Sequence, residues 1–84
     1  MNIKIIVYIN HMINTNYTYD DIKDLKRRIE KCKNNKNILL KIFNIIESND
    51  VLYTKNSNGI FLLFTDLDTK IYKEIDNLLC LHNI

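Results

Sequence analysis

The chain lacks proline, alanine and tryptophan, and it has a single glycine and two cysteines among its 84 residues. One glycine argues against a glycine-rich phosphate-binding loop, because the backbone of such a loop approaches the phosphate closely at several positions. The sequence also has no Cys-His pair at a readable spacing and no serine nucleophile motif. We therefore predict a protein that is not an enzyme and needs no cofactor.

The two cysteines, Cys32 and Cys80, are too few and too far apart in the sequence to form a disulfide framework. Both fall on apolar stripes of predicted helices, where we expect buried thiols that act as small hydrophobic side chains. His11 and His82 offer an alternative, a Cys2His2 metal set. The four residues lack the closely spaced pairs that zinc sites show, so we predict no metal site.

Long hydrophobic runs are missing as well. The longest apolar region, residues 38–46, is interrupted by Lys41 and Asn44 and is too short to span a membrane. The N-terminal apolar run, residues 5–9, is short for a signal peptide, and no small-residue cleavage site follows it. We expect an intracellular protein without a membrane partner. Its abundant Asn, Ile and Lys fit an AT-rich genome, such as that of a virus or an intracellular parasite.

The charge is close to balanced. A formal net charge of +2, with 26% charged and 46% hydrophobic residues, is typical of one small globular domain. This net charge is too small to indicate nucleic-acid binding. The cluster Lys26-Arg27-Arg28 is most simply a solvated helix face. Together with Lys23, Lys31, Lys33 and Lys36 it could form a basic stripe, which leaves a nucleic-acid-binding module as an alternative. No aromatic residues are interleaved with these cations, and that disfavours the alternative.

Hydrophobic periodicity predicts the order strand, helix, helix, strand, helix. Residues 3–9 are β-branched and aromatic, as strands are. Thr18 and Asp21 match a capping box at the start of the first helix, and Asp68 can cap the last helix, residues 69–81. The apolar stripe of the first helix is Ile22, Leu25, Ile29 and Cys32. The wide apolar face of the second is Ile38, Leu39, Ile42, Phe43, Ile45 and Ile46.

The second strand is the most informative element. Residues 60–64 are all apolar and follow a polar turn, with residues 51–53 as a short extended piece before it. Because alternate side chains point to opposite faces, a strand that is apolar on both faces needs cover on both. The simpler interpretation is an ordinary core strand. We also expect residues 3–9 to pair with it and to cover the face that carries Phe61 and Leu63.

These elements predict a small α+β domain that is mainly helical. Three helices pack on a two-stranded antiparallel β element, which residues 3–9 and 60–64 form. Residues 1–16 are predicted to be an N-terminal strand and linker, and residues 17–81 the helical domain.

From residue 19 to residue 79 the chain resembles the NET domain, the extra-terminal domain of bromodomain-and-extra-terminal (BET) transcription regulators. Tyr19-Asp20 matches the start of the family's first helix, and Lys73-Glu74-Ile75 resembles a motif of its third. The other matching positions are apolar: Leu25, Ile29, Leu39, Ile42, Phe43, Ile45, Ile46, Ile60, Leu62, Phe64 and Leu67.

The resemblance implies a protein–protein interaction module that binds a peptide of alternating apolar and lysine residues by strand addition. It also implies a role in transcription or chromatin regulation, in the nucleus or, for a viral protein, in the host nucleus or a cytoplasmic virus factory. The expected partner-binding residues are Ile60, Phe61, Leu62, Leu63, Phe64 and Asp66, with Leu39 and Phe43 as the groove floor.

The chain departs from the family at the acidic residues that bind the peptide lysines. The corresponding positions are Gly59, Phe61 and Leu63, none of which is charged. The N-terminal strand, residues 3–9, is itself an extended apolar segment with a lysine, so we expect it to occupy the groove in its own molecule or in a second copy. A homodimerising structural protein therefore remains an alternative.

Overall fold

The computed structural model describes residues 3–6, 17–57, 59–64 and 67–84. It is a small α+β domain that is mainly helical, as predicted. The elements in chain order are β1 (Ile3–Ile6), α1 (Tyr19–Glu30), α2 (Lys36–Ser48), β2 (Thr54–Asn56), β3 (Gly59–Leu63) and α3 (Thr69–Leu81). The predicted residues 7–9 of the first strand and the linker 10–16 lie outside the described residues.

Local signals set where the helices begin. The predicted capping box of α1 is present, since the Asp21 amide donates to the Thr18 hydroxyl and the Thr18 amide donates to the Asp21 carboxylate. The Asn35 side chain accepts from the Ile38 amide at the start of α2. Asp68 occupies the N-cap position of α3, but its side chain makes no capping hydrogen bond, which corrects its predicted role.

Two helices end in the same way. Asp50, after α2, and Asn83, after α3, adopt left-handed φ values of 55° and 59°. In both, the next amide donates to a carbonyl five residues earlier, from Val51 to Ile46 and from Ile84 to Leu79. This Schellman arrangement satisfies carbonyls that the helix leaves unpaired. It also directs Val51 and Ile84 back against the core.

The core lies where α3 packs against α1, α2 and the sheet. The predicted stripes of α1 and α2 are buried, apart from Phe43 and Ile45, which are half-buried. Cys32 is buried as expected, whereas Cys80 is exposed, so the prediction for Cys80 was wrong. The buried side chains are Ile22, Leu25, Ile29, Cys32, Ile38, Leu39, Ile42, Ile46, Ile60, Leu62, Phe64, Ile71, Tyr72, Ile75 and Leu79.

The sheet differs from the prediction in its pairing. It has three strands in the order β1-β3-β2. The antiparallel pair is present, but β2 and β3 form it, and the extended piece expected at 51–53 is found at Thr54–Asn56. β1 pairs with β3 in parallel, from Ile3 opposite Ile60 to Ile6 opposite Leu63. The long stretch that holds α1 and α2 between these strands allows this, because parallel strands require a crossover rather than a hairpin.

Candidate functional site

β3 has two unlike faces. Ile60 and Leu62 within it, and Phe64 immediately after it, are 0%, 2% and 0% exposed. Phe61 is half-buried, and Leu63 is 42% exposed. The uninterrupted apolar run therefore resolves into a core face and a second face that is only partly covered. Of the five residues expected to contact a partner in this run, only Phe61 and Leu63 present side-chain surface.

Both backbone edges of β3 are paired. On one edge Thr54–Asn56 of β2 runs antiparallel, with Asn56 opposite Gly59 and Thr54 opposite Phe61. Gly59 has a φ of 126°, a left-handed value that glycine adopts without the strain a side chain would cause. On the other edge β1 follows β3 from Ile60 to Leu63. β1 lies beside β3 rather than over its outer face, so the expected cover of Leu63 is incomplete.

The expected groove floor is split between the core and the surface. Leu39 is 3% exposed and packs within the core, so it presents almost no surface to a partner. Phe43 is half-buried and packs edge-on against Tyr53, with ring centroids 5.4 Å apart. The Tyr53 hydroxyl donates to Glu47 of α2 at 3.2 Å. Asp66 lies outside the described residues.

Tyr72 joins β3 to α3, a role that the sequence reading missed. It is 0% exposed, and its hydroxyl donates to the Phe64 carbonyl at 2.6 Å and accepts from the Leu67 amide at 3.0 Å. Its ring also meets the Phe64 ring edge-on, at a centroid distance of 5.2 Å. The signal for this role in the sequence is a tyrosine among the otherwise aliphatic inward-facing residues of the last helix. A buried phenol needs a hydrogen-bond partner.

A polar cluster joins α1 to α3 one helical turn beyond Tyr72, and the Tyr17 ring, 5.4 Å from the Tyr72 ring, lies beside it. Arg28 donates to Asp76 at 2.8 Å and to the Ile84 carbonyl at 3.0 Å. The Tyr17 hydroxyl donates to the other Asp76 oxygen at 3.2 Å, and an Arg28 nitrogen lies 3.4 Å from the Cys80 sulfur. The Arg28 hydrogen bond holds the pKa of Asp76 below its ordinary value, whereas burial and then Asp76 raise the pKa of Tyr17.

The same contacts change the interpretation of the basic stripe on α1. Arg28 pairs with Asp76 and Asp24, and Arg27 also pairs with Asp24. Lys26 lies 3.8 Å from Glu30. The three cations at the centre of the predicted stripe therefore have a carboxylate neighbour, which reduces the positive potential that they offer to a nucleic acid.

Other kinds of site receive no structural support within the described ranges. No group of three or more His, Cys, Asp or Glu side chains gathers there as a metal site would require. No helix of that part of the chain has the length and apolarity needed to cross a membrane. Comparison of the chain with protein-family models, with curated proteins and with solved structures finds no match in any of the three.

Proposed function

We propose that this chain is a protein–protein interaction module of the NET kind, which holds an extended segment as an added strand on β3. The observation that carries the proposal is the position of β1. Four residues, Ile3–Ile6, add to the edge of β3 that lies opposite β2. An edge that pairs with a strand of its own chain has the spacing and the outward-facing amide and carbonyl groups that a partner strand needs.

The chemistry of the partner follows from the segment already in place. Its sequence, Ile-Lys-Ile-Ile, combines apolar residues with a lysine, as the peptides of the NET resemblance do. The side chains of β3 that retain surface are Phe61 and Leu63, and neither carries a charge. Main-chain pairing and apolar contact would therefore supply most of the affinity, because an apolar surface cannot compensate a buried ammonium group.

The biological setting is proposed from the resemblance alone. A NET-like module would recruit transcription or chromatin factors, in the nucleus or, in a viral setting, in the host nucleus or a cytoplasmic virus factory. The residues proposed to meet the partner are narrower than the sequence suggested. They are Phe61 and Leu63 with the backbone of Ile60–Leu63, and Phe43 at the α2 side of the sheet.

Self-association is a second candidate, and the exposure of Leu63 favours it. Leu63 is 42% exposed, and it belongs to β3, the strand that pairs with β1. An exposed apolar side chain on the face of a sheet can pack against the same face of a second copy. This candidate predicts that the mass rises with concentration in analytical ultracentrifugation and that no foreign peptide binds.

The test of the proposal is an NMR titration of the full labelled chain with a peptide of alternating Ile and Lys. We expect saturable shifts in the amides of residues 59–64 and little change in α1. A control peptide with a central proline lacks an amide for the ladder and should bind more weakly. Shifts confined to the cationic face of α1, or no shifts at all, would count against the proposal.

A further inference from the structure

We propose that β1 is a built-in competitor for the binding edge, so that a partner strand binds only when β1 leaves and then runs parallel to β3 in its place. This inference rests on the proposed function and deepens it. It assigns the regulation of the site to four residues of the chain itself, Ile3–Ile6.

Neither edge of β3 is vacant within the described sheet. A strand can add to β3 only where amides and carbonyls face outward without partners, and β2 and β1 occupy the two sides. Only residues 57 and 58 connect β2 to β3, so β2 is held in place by a tight hairpin. β1 is not joined to β3 by a hairpin, because residues 7–58 of the chain lie between the two strands. β1 is therefore the strand that can be exchanged.

Contacts other than those with β1 also hold β3 in place. Tyr72 binds the Phe64 carbonyl and the Leu67 amide, which attaches the end of β3 to α3. Ile60 and Leu62 pack into the core that the three helices share. Release of β1 therefore breaks four residues of backbone pairing without removing these contacts. Local opening of this kind occurs at a lower free energy than global unfolding.

The parallel register has a consequence for the partner. A segment that replaces β1 meets the same amides and carbonyls of Ile60–Leu63, which are spaced for a parallel neighbour. We therefore expect its N-terminal end beside Ile60 and its C-terminal end beside Leu63. Its apparent affinity is the intrinsic affinity reduced by the fraction of molecules in which β1 is released.

The first experiment disables β1 in the full chain. Successive amides of a strand point to opposite edges, so one of the substitutions Lys4→Pro and Ile5→Pro removes an amide that faces β3. We expect that variant to bind the Ile–Lys peptide about tenfold more tightly than the unaltered chain. A tenfold gain corresponds to β1 being paired with β3 in about nine of ten molecules of the unaltered chain. Ile5→Val is the matched control, because it retains the amide and a β-branched side chain, and its affinity should stay unchanged.

A second experiment keeps the inference testable if the proline variants fail to fold. Lys4 and Phe61 are register partners, so Lys4→Cys with Phe61→Cys places two thiols within reach of a disulfide. Cys80 is exposed and is replaced by Ser to prevent other pairings. We expect the oxidised protein to lose peptide binding and the reduced protein to bind, although more weakly than the unaltered chain because the Phe61 side chain is gone. The oxidised and reduced forms share one sequence, so each serves as the control for the other.

The outcomes separate this inference from the proposed function. If the oxidised protein binds as well as the reduced one, or if the proline variants bind no more tightly, the peptide uses another surface and the competitor role is wrong. The chain would then still be a peptide-binding module, but its binding surface would not be the edge of β3 that β1 occupies. If neither the unaltered chain nor any variant binds the peptide, the proposed function fails and the competitor role fails with it. Tighter binding by the open variant and loss on oxidation together support both.

Discussion

β3 meets α3 on one face and β1 along one edge, and the two contacts are carried by different groups. α3 contributes a fully buried Tyr72, whose ring packs against Phe64 and whose hydroxyl binds the Phe64 carbonyl. β1 contributes a backbone register over four residues. The first contact depends on the shape and the hydrogen-bonding group of one side chain. The second is available to many extended segments of suitable length.

This difference separates the part of the molecule that specifies the fold from the part that can exchange. Side-chain packing in a core tolerates few substitutes, because a lost methylene group leaves a cavity. Backbone pairing at an edge is common to all strands, and the side chains beside it provide selectivity. We therefore expect changes on the α3 side to alter the stability of the whole domain. Changes on the β1 side should alter binding.

The largest expected effect comes from the core face of β3. Leu62 is 2% exposed, and Leu62→Ala should lower the free energy of unfolding by about 3 kcal/mol. That is a large fraction of the roughly 5–10 kcal/mol typical of a small domain. Urea unfolding followed by circular dichroism measures the loss. β1 should lose its amide protection in the same variant, because its pairing strand is no longer held in place.

Leu63→Ala is the matched control, since it removes the same atoms from the adjacent residue. Leu63 is 42% exposed, so the variant should lose less than about 1 kcal/mol while weakening peptide binding. Equal destabilisation by the two substitutions would contradict the division of β3 into a core face and a partly covered face.

The sequence predicted the helices well because their signals are local. The start of α1 follows from the pair Thr18 and Asp21, which lie three residues apart and bind each other. The predicted bounds of the last helix agree with the observed Thr69–Leu81. The capping box of α1 and the apolar repeat of α3 are both patterns among neighbours in the chain, so they can be recognised without knowing the fold.

Long-range relations were harder to predict for a physical reason. An apolar run such as residues 60–64 does not reveal which alternate residues face the core, so Ile60 was assigned to a partner surface that it does not reach. The direction of β1 depends on how the chain crosses over, and alternation is the same in parallel and antiparallel pairs. The contact between Arg28 and Asp76 likewise joins two helices without a local sequence signal.

A smaller loss is expected when the link between α3 and the end of β3 is weakened without changing its volume. Tyr72→Phe removes the hydroxyl that binds the Phe64 carbonyl and the Leu67 amide. The Phe64 carbonyl and the Leu67 amide then lose their hydrogen bond to a side chain that is fully buried. We therefore expect the free energy of unfolding, measured in urea, to fall by about 2 kcal/mol. Tyr53→Phe is the control, because its hydroxyl binds Glu47 at an exposed position and its removal should change the free energy of unfolding far less. Similar losses in the two variants would argue against a special role for Tyr72 in holding β3.

The smallest expected effect lies in the contact between α1 and α3, at Asp76. The Arg28 hydrogen bond lowers the pKa of Asp76 from its ordinary 3.8 in the folded protein. The folded state therefore binds fewer protons than the unfolded state at this carboxyl. Its contribution is full above the ordinary pKa and is lost as the pH falls through the lowered one. Because Asp76 is 32% exposed, we expect Asp76→Asn to cost only about 1 kcal/mol at pH 7.

Unfolding measured between pH 7 and pH 2 tests that sign and extends the comparison between β1 and α3. The difference in unfolding free energy between Asp76→Asn and the unaltered chain should shrink as the pH falls below 3.8. Glu74→Gln on the same helix leaves the Arg28 contact intact and should show a smaller difference.

Hydrogen exchange at pH 7 supplies the second measurement. Global opening should become easier in Asp76→Asn. The local opening of β1 from β3 should keep its free energy, because the hydrogen bonds of Asp76 within the described part of the chain go to Tyr17, Arg28 and Cys80, which lie outside both strands. If β1 opened more readily in this variant, its pairing would depend on the α1–α3 interface, and β1 and the helical body would have to be treated as one cooperative unit.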